Sequence, residues 1–185
     1  MTELKDLLIK AAVRTRFLMT GQERSSQQIR HSLAEYLDLA RHVGPDAGRC
    51  PVRVPPMLGL DEDMLDWSLF MILEHNTIVN RAITRTVQAL CLGERPPELD
   101  MKGDVMPSSD PGSEQVPAFK ESVDQHLDLV AGLTGLRRTP SHRHTLFGEL
   151  TGHGWHCMLG FHLEIHLRQA KAGARRLSAG PNSEA

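Results

Sequence analysis

Two imidazoles four residues apart, in His162-Leu163-Glu164-Ile165-His166, can chelate one metal ion if the segment is helical. Residues at i and i+4 stack on one face of an α-helix, so both rings reach the same point in space. Met158, Leu159 and Ala170 fall on that side as well, which turns the pair inward. Ten histidines in 185 residues give roughly half of one such pair by chance. Taken alone, the spacing therefore suits two core or surface histidines as well as a metal site.

His75, in Leu73-Glu74-His75-Asn76, is the third candidate, with Met71, Ile72, Val79 and Ala82 on its flank. A lone histidine on an apolar face ordinarily hydrogen-bonds a carbonyl. Here it can instead complete a set of three nitrogens across a bundle. Three protein ligands leave coordination positions open, which is the pattern of a reactive centre and not of a closed structural one. Three imidazoles suit Zn, Ni, Fe or Mn in varying degree. Asn76, beside His75, is a candidate hydrogen-bonding support, and His144 and Trp155 are candidates for the pocket wall. His31, His42, His126 and His142 read most simply as surface residues, and Glu164 as solvated or ion-paired.

Other chemistries lack their motifs. Glu164 stands one place too late for the zinc-protease His-Glu-x-x-His, and no Glu-x-x-His of a di-iron bundle occurs. Neither a phosphate-cradling glycine loop nor a Gly-x-Ser-x-Gly elbow is present. Cys50, Cys91 and Cys157 lack zinc-finger spacing, and an odd count without a secretory segment points to reduced thiols in a cytoplasm. The formal net charge of -2 supplies no basic footprint for nucleic acid. No run approaches the ~18 apolar residues of a membrane helix.

Helical periodicity must position these residues, since it dominates the chain. It predicts a helix over about Thr2 to Thr20, stopped by Gly21, and a second over about Ser26 to Val43, ended by Gly44-Pro45. A long helix follows over about Asp63 to Leu92, with Asp61, Glu62 and Asp63 at its positive end and Gly93 closing it. A fourth runs from Ser113 or Pro117 to Leu133, and the last from about Glu149 to Lys171. Glu98 to Gly112 and Thr134 to Thr145 read as loops. The expectation is an all-α four-helix bundle with an additional N-terminal helix, as one domain over residues 1–171 and a disordered tail over 172–185.

Three segments carry a family resemblance. Trp67-Ser68-Leu69-Phe70-Met71-Ile72-Leu73-Glu74-His75-Asn76 resembles the segment that supplies the first metal-binding histidine of the DinB/YfiT-like superfamily. His144-Thr145-Leu146-Phe147-Gly148-Glu149-Leu150-Thr151 resembles the His-Pro-x-Phe-Gly-x-Leu-Thr entry to that family's last helix, with Thr145 in place of the proline. His162-x-x-x-His166 followed by Gln169 resembles its His-x-x-x-His-x-x-Gln ending. The pieces stand in family order over most of residues 60 to 170.

The resemblance implies a DinB-like four-helix bundle related to thiol-dependent S-transferases and maleylpyruvate isomerase. It implies a divalent metal, Zn or Ni favoured and Fe or Mn admissible, on His75, His162 and His166. A small-molecule substrate and a low-molecular-weight thiol such as bacillithiol or mycothiol would accompany it. A transferase, isomerase or hydrolase is then expected. The alternative is a non-catalytic, dimeric interaction or metal-binding module, for which apolar positions such as Val13 and Leu39 offer a homodimer face.

Overall fold

The computed structural model describes residues 2–98 and 103–179, and of residues 2–6 only the backbone path. It is mostly helical: α1 (Thr2–Met19), α2 (Gln22–Ala47), α3 (Leu69–Leu92), α4 (Gln115–Ala131) and α5 (Gly152–Ala179). Single 3-10 turns occupy Glu62–Met64 and Leu136–Arg138. A short antiparallel hairpin, β1 (His142–His144) and β2 (Gly148–Leu150), pairs His142 with Leu150 and His144 with Gly148. Among the described residues, no helix is long and apolar enough to cross a membrane.

Local chemistry sets the ends of these elements. The Ser68 side chain accepts the Met71 N–H, so α3 begins there and not at Asp63 as the acidic run suggests. Asp61, Glu62 and Asp63 sit instead at and in the preceding 3-10 turn. At the other end Gly93 takes a left-handed φ of 73° and its N–H returns to Ala89 and Leu90, the stop its position predicts. The polar stretch from Gln22 that reads as a break is helical, and α2 kinks at Gly44 (φ 78°) before Pro45.

The last helix departs most from expectation. Glu149, its expected start, lies in β2, and α5 runs eight residues past Lys171 to Ala179. Residues 172–179 of the expected tail are thus helical, and residues 180–185 lie outside the described residues.

α5 packs against both α2 and α3, with α1 laid along it, while α4 packs against α2 and α3. Glycines permit this closeness: a Cβ on Gly160 would stand 3.3 Å from Ile29 Cγ1, and one on Gly154 would stand 3.1 Å from Leu150 Cβ. The core is aliphatic, with Tyr36 edge-on to Phe119 at 5.0 Å. Phe17 likewise meets Phe147 and Phe161, pinning α1 to the hairpin and α5.

A further close approach occurs at Gly48, where a Cβ would fall 2.6 Å from Cζ of the buried Phe70. The Gly48→Ala variant is expected to lose about 1–3 kcal/mol, the usual cost of overpacking. Urea unfolding measures it; a variant as stable as the parent would mean that the Phe70 ring shifts freely.

Candidate metal centre

α3 contributes His75 and α5 contributes His162 and His166, and one candidate ligand atom from each lies within 4.8 Å of the others. The helical spacing accounts for the α5 pair, whose ring centroids are 4.6 Å apart. The packing of α3 on α5 brings in the third ring, at 5.0 Å from His162 and 4.7 Å from His166. His75 and His166 are each only 2% exposed, and His162 is half-buried.

Hydrogen bonds fix which nitrogens face inward. His75 Nδ1 lies 2.7 Å from the Val105 carbonyl oxygen, which can only accept, so Nδ1 carries the proton. The lone pair of neutral His75 is therefore on Nε2. His166 Nδ1 lies 2.8 Å from Gln169 Oε1. The other end of that amide is held by Gln169 Nε2 donating to the Met64 carbonyl at 2.5 Å. This orients the amide oxygen toward His166 and leaves the His166 lone pair on Nε2 as well.

His162 Nε2 stands 3.1 Å from the His75 Nε2 lone pair. Two nitrogens on one tetrahedral zinc at ~2.05 Å would be about 3.3 Å apart. The alternative at this distance is a proton on His162 Nε2, donated to His75. The donor set thus fits a divalent ion: two lone pairs fixed by outward hydrogen bonds, and a third ring at ligand spacing.

The electrostatics agree. Burial pushes His75 below its usual range against the opposing pull of the Val105 carbonyl. His166 falls to about 3, through burial and then the neighbouring His75. Burial carries His162 well down, followed by His166, His75 and His144. Neutral imidazoles are the ligating form. Trp67 covers the site on one side, stacked on His166 at 6.1 Å and 5.0 Å from His75.

The remaining candidates divide. Asn76 supports α2 and not His75: its Nδ2 donates to Tyr36 Oη, whose hydroxyl donates to the Leu163 carbonyl. His144 and Trp155 are both buried, with ring centroids 5.2 Å apart. Glu164 is ion-paired with Arg16 and Arg168 on another face. His31 and His42 are exposed and His142 is half-buried.

His126 is not a surface residue. It is fully buried and joins a chain across the interior. Thr84 Oγ1 lies 3.0 Å from His126 Nδ1, His126 Nε2 lies 2.9 Å from His156 Nδ1, and His156 Nε2 lies 3.2 Å from Ser26 Oγ. Burial lowers His126 to about 3 and His156 to about 4.

Comparison with protein-family models, with curated proteins and with solved structures finds no match to this chain.

Proposed function

We propose that the chain is a DinB-like four-helix-bundle metalloenzyme that holds a divalent ion on His75, His162 and His166. The observation that carries this reading is the pair of outward hydrogen bonds, to the Val105 carbonyl and to Gln169 Oε1, that commits two inward Nε2 lone pairs to a shared point. Three nitrogen donors without a carboxylate favour Zn or Ni, with Fe or Mn admissible. When bound, the ion supplies positive charge that lowers the pKa of a thiol or water beside it.

The chain's own residues do the rest. His75 and His166 are held in one tautomer, Trp67 lies against both of those rings, and His162 is the least buried of the three. Transfer or isomerisation with a low-molecular-weight thiol, or hydrolysis, of a small molecule is the chemistry this supports. Unpaired Cys50, Cys91 and Cys157 accord with a cytoplasmic setting. Val13 and Leu39, the expected homodimer face, are half-buried against the core, and exposed Leu7, Leu8, Leu18 and Met19 on α1 would suit such a face instead. A non-catalytic, metal-stabilised module is the second reading, favoured by the depth of His75 and His166.

Metal analysis after loading with Zn, Ni or Mn tests the site. One equivalent per chain is expected, with affinity reduced more than ~100-fold in His162→Ala, since partners of ligands alone are worth ~10–100-fold. Gln169→Ala should show that smaller loss, because His166 would no longer be held in the ligating tautomer. Wild-type protein that retains no stoichiometric metal would sink the proposal.

A further inference from the structure

Beside the three histidines lie two buried N–H groups whose direction of donation is fixed by the protein. His144 Nδ1 accepts the backbone N–H of Leu146 at 3.1 Å and of Phe147 at 3.4 Å. Backbone N–H groups only donate, so Nδ1 holds a lone pair and neutral His144 carries its proton on Nε2. That Nε2–H finds no acceptor among the described residues, although His144 is 2% exposed. The Trp155 indole Nε1–H, which can only donate, is likewise buried without a partner at 7% exposure. Leaving a buried donor without an acceptor is costly, so two in adjoining rings 5.2 Å apart call for an acceptor.

Their position links them to the metal centre. Trp155 and His162 are seven residues apart on α5, two turns along the same face. His144 packs on Phe147 at 5.1 Å, and Phe147 meets Phe161, the residue before His162, at 5.9 Å. His162 Nδ1 is itself buried with no partner. With Nε2 given to a metal, Nδ1 carries the proton and lacks an acceptor as well.

Charge selects the acceptor. Three neutral imidazoles leave a divalent ion its full charge in a desolvated setting, where an uncompensated charge is costly. No carboxylate belongs to the ligand group among the described residues. An anion with hydrogen-bond-accepting oxygens satisfies the ion and the donors together.

We infer that His144 Nε2–H and Trp155 Nε1–H form a donor pair that binds the oxygens of a small carboxylate ligand beside the three-histidine centre. This inference rests on the metal reading. It narrows the small-molecule partner to a carboxylic acid anion and makes the β1–β2 hairpin a specificity element, since its turn fixes the His144 tautomer.

The test uses the full chain loaded with Co(II), titrated with acetate and followed by the visible Co(II) bands and by the indole N–H resonances. Acetate is expected to perturb the bands and to move one indole resonance downfield, the one missing in Trp155→Phe. Trp155→Phe, which keeps the ring volume but removes the donor, and His144→Phe should each weaken acetate binding about tenfold. Co(II) affinity should be unchanged in both. Protein that takes up no Co(II) fails the metal reading and this inference with it. Protein that takes up Co(II) normally, yet binds no acetate or binds it equally in wild type and both variants, overturns the donor pair alone.

Discussion

Lowering the pH from 7 to about 4.5 is expected to unfold this protein, at an acidity where ordinary carboxylate chemistry would still favour the fold. Burial holds His126 at about 3 and His144 and His156 at about 4, and lowers His153. Between pH 6.5 and about 4.5, His126, His144 and His156 stay mostly neutral in the folded chain, while the unfolded chain protonates them. The unfolded state then binds more protons, so stability is full above about 6.5 and is lost as pH falls toward the folded values. Each such histidine contributes a slope of up to about 1.4 kcal/mol per pH unit. The three together remove on the order of 4 kcal/mol per unit, against a typical total of 5–15 kcal/mol. Circular dichroism in fixed salt, with urea titrations at several pH values, measures the slope. Stability constant between pH 7 and 4.5 would show that these rings accept protons without disrupting the interior.

The second large effect is thermal. A ligand that binds only the folded state stabilises it by about 2.7 kcal/mol at 100 times Kd and about 4.1 at 1,000 times. For a chain of this size each kcal/mol moves Tm by ~2–4 °C. Saturating Zn or Ni should therefore raise Tm by roughly 5–15 °C, and a chelator should reverse the gain. His162→Ala is the matched control, because its half-buried ring can be removed with less damage to the core than His75 or His166. A Tm rise of equal size in His162→Ala would place the metal elsewhere on the chain.

The helices and the His162/His166 pair were legible in the sequence through period 3.6, whereas His75 joined them through its helix face together with the family resemblance. Leu65, Leu69, Ile72, Leu73, Asn76, Val79 and Ile83 mark one stripe, and His162 and His166 ride another. The position of His126 was legible in the same way, three residues after Val123 and four before Val130 on the buried face of α4. Its polarity argued for solvent, and only the facing His156 and Thr84 remove that objection. The hairpin was not legible. His142–His144 and Gly148–Leu150 are three residues each, lack β-branched residues, and are set by an imidazole capping its own turn. The Val105 carbonyl also escaped, because a backbone acceptor in a polar loop leaves no mark in residue type.

The central place of α5 has a consequence for how the chain is made. α2, α3 and α4 leave the ribosome first and can pair with one another, yet the apolar surface that α5 will cover stays open until α5 follows. The roughly 90 residues between His75 and His166 take ~5–20 s to synthesise. For that interval His75 waits without its two companions, and the nascent helices leave open a seam the width of one helix. Docking of α5 then covers that seam and brings the three nitrogens together, so the candidate site exists only in the completed fold.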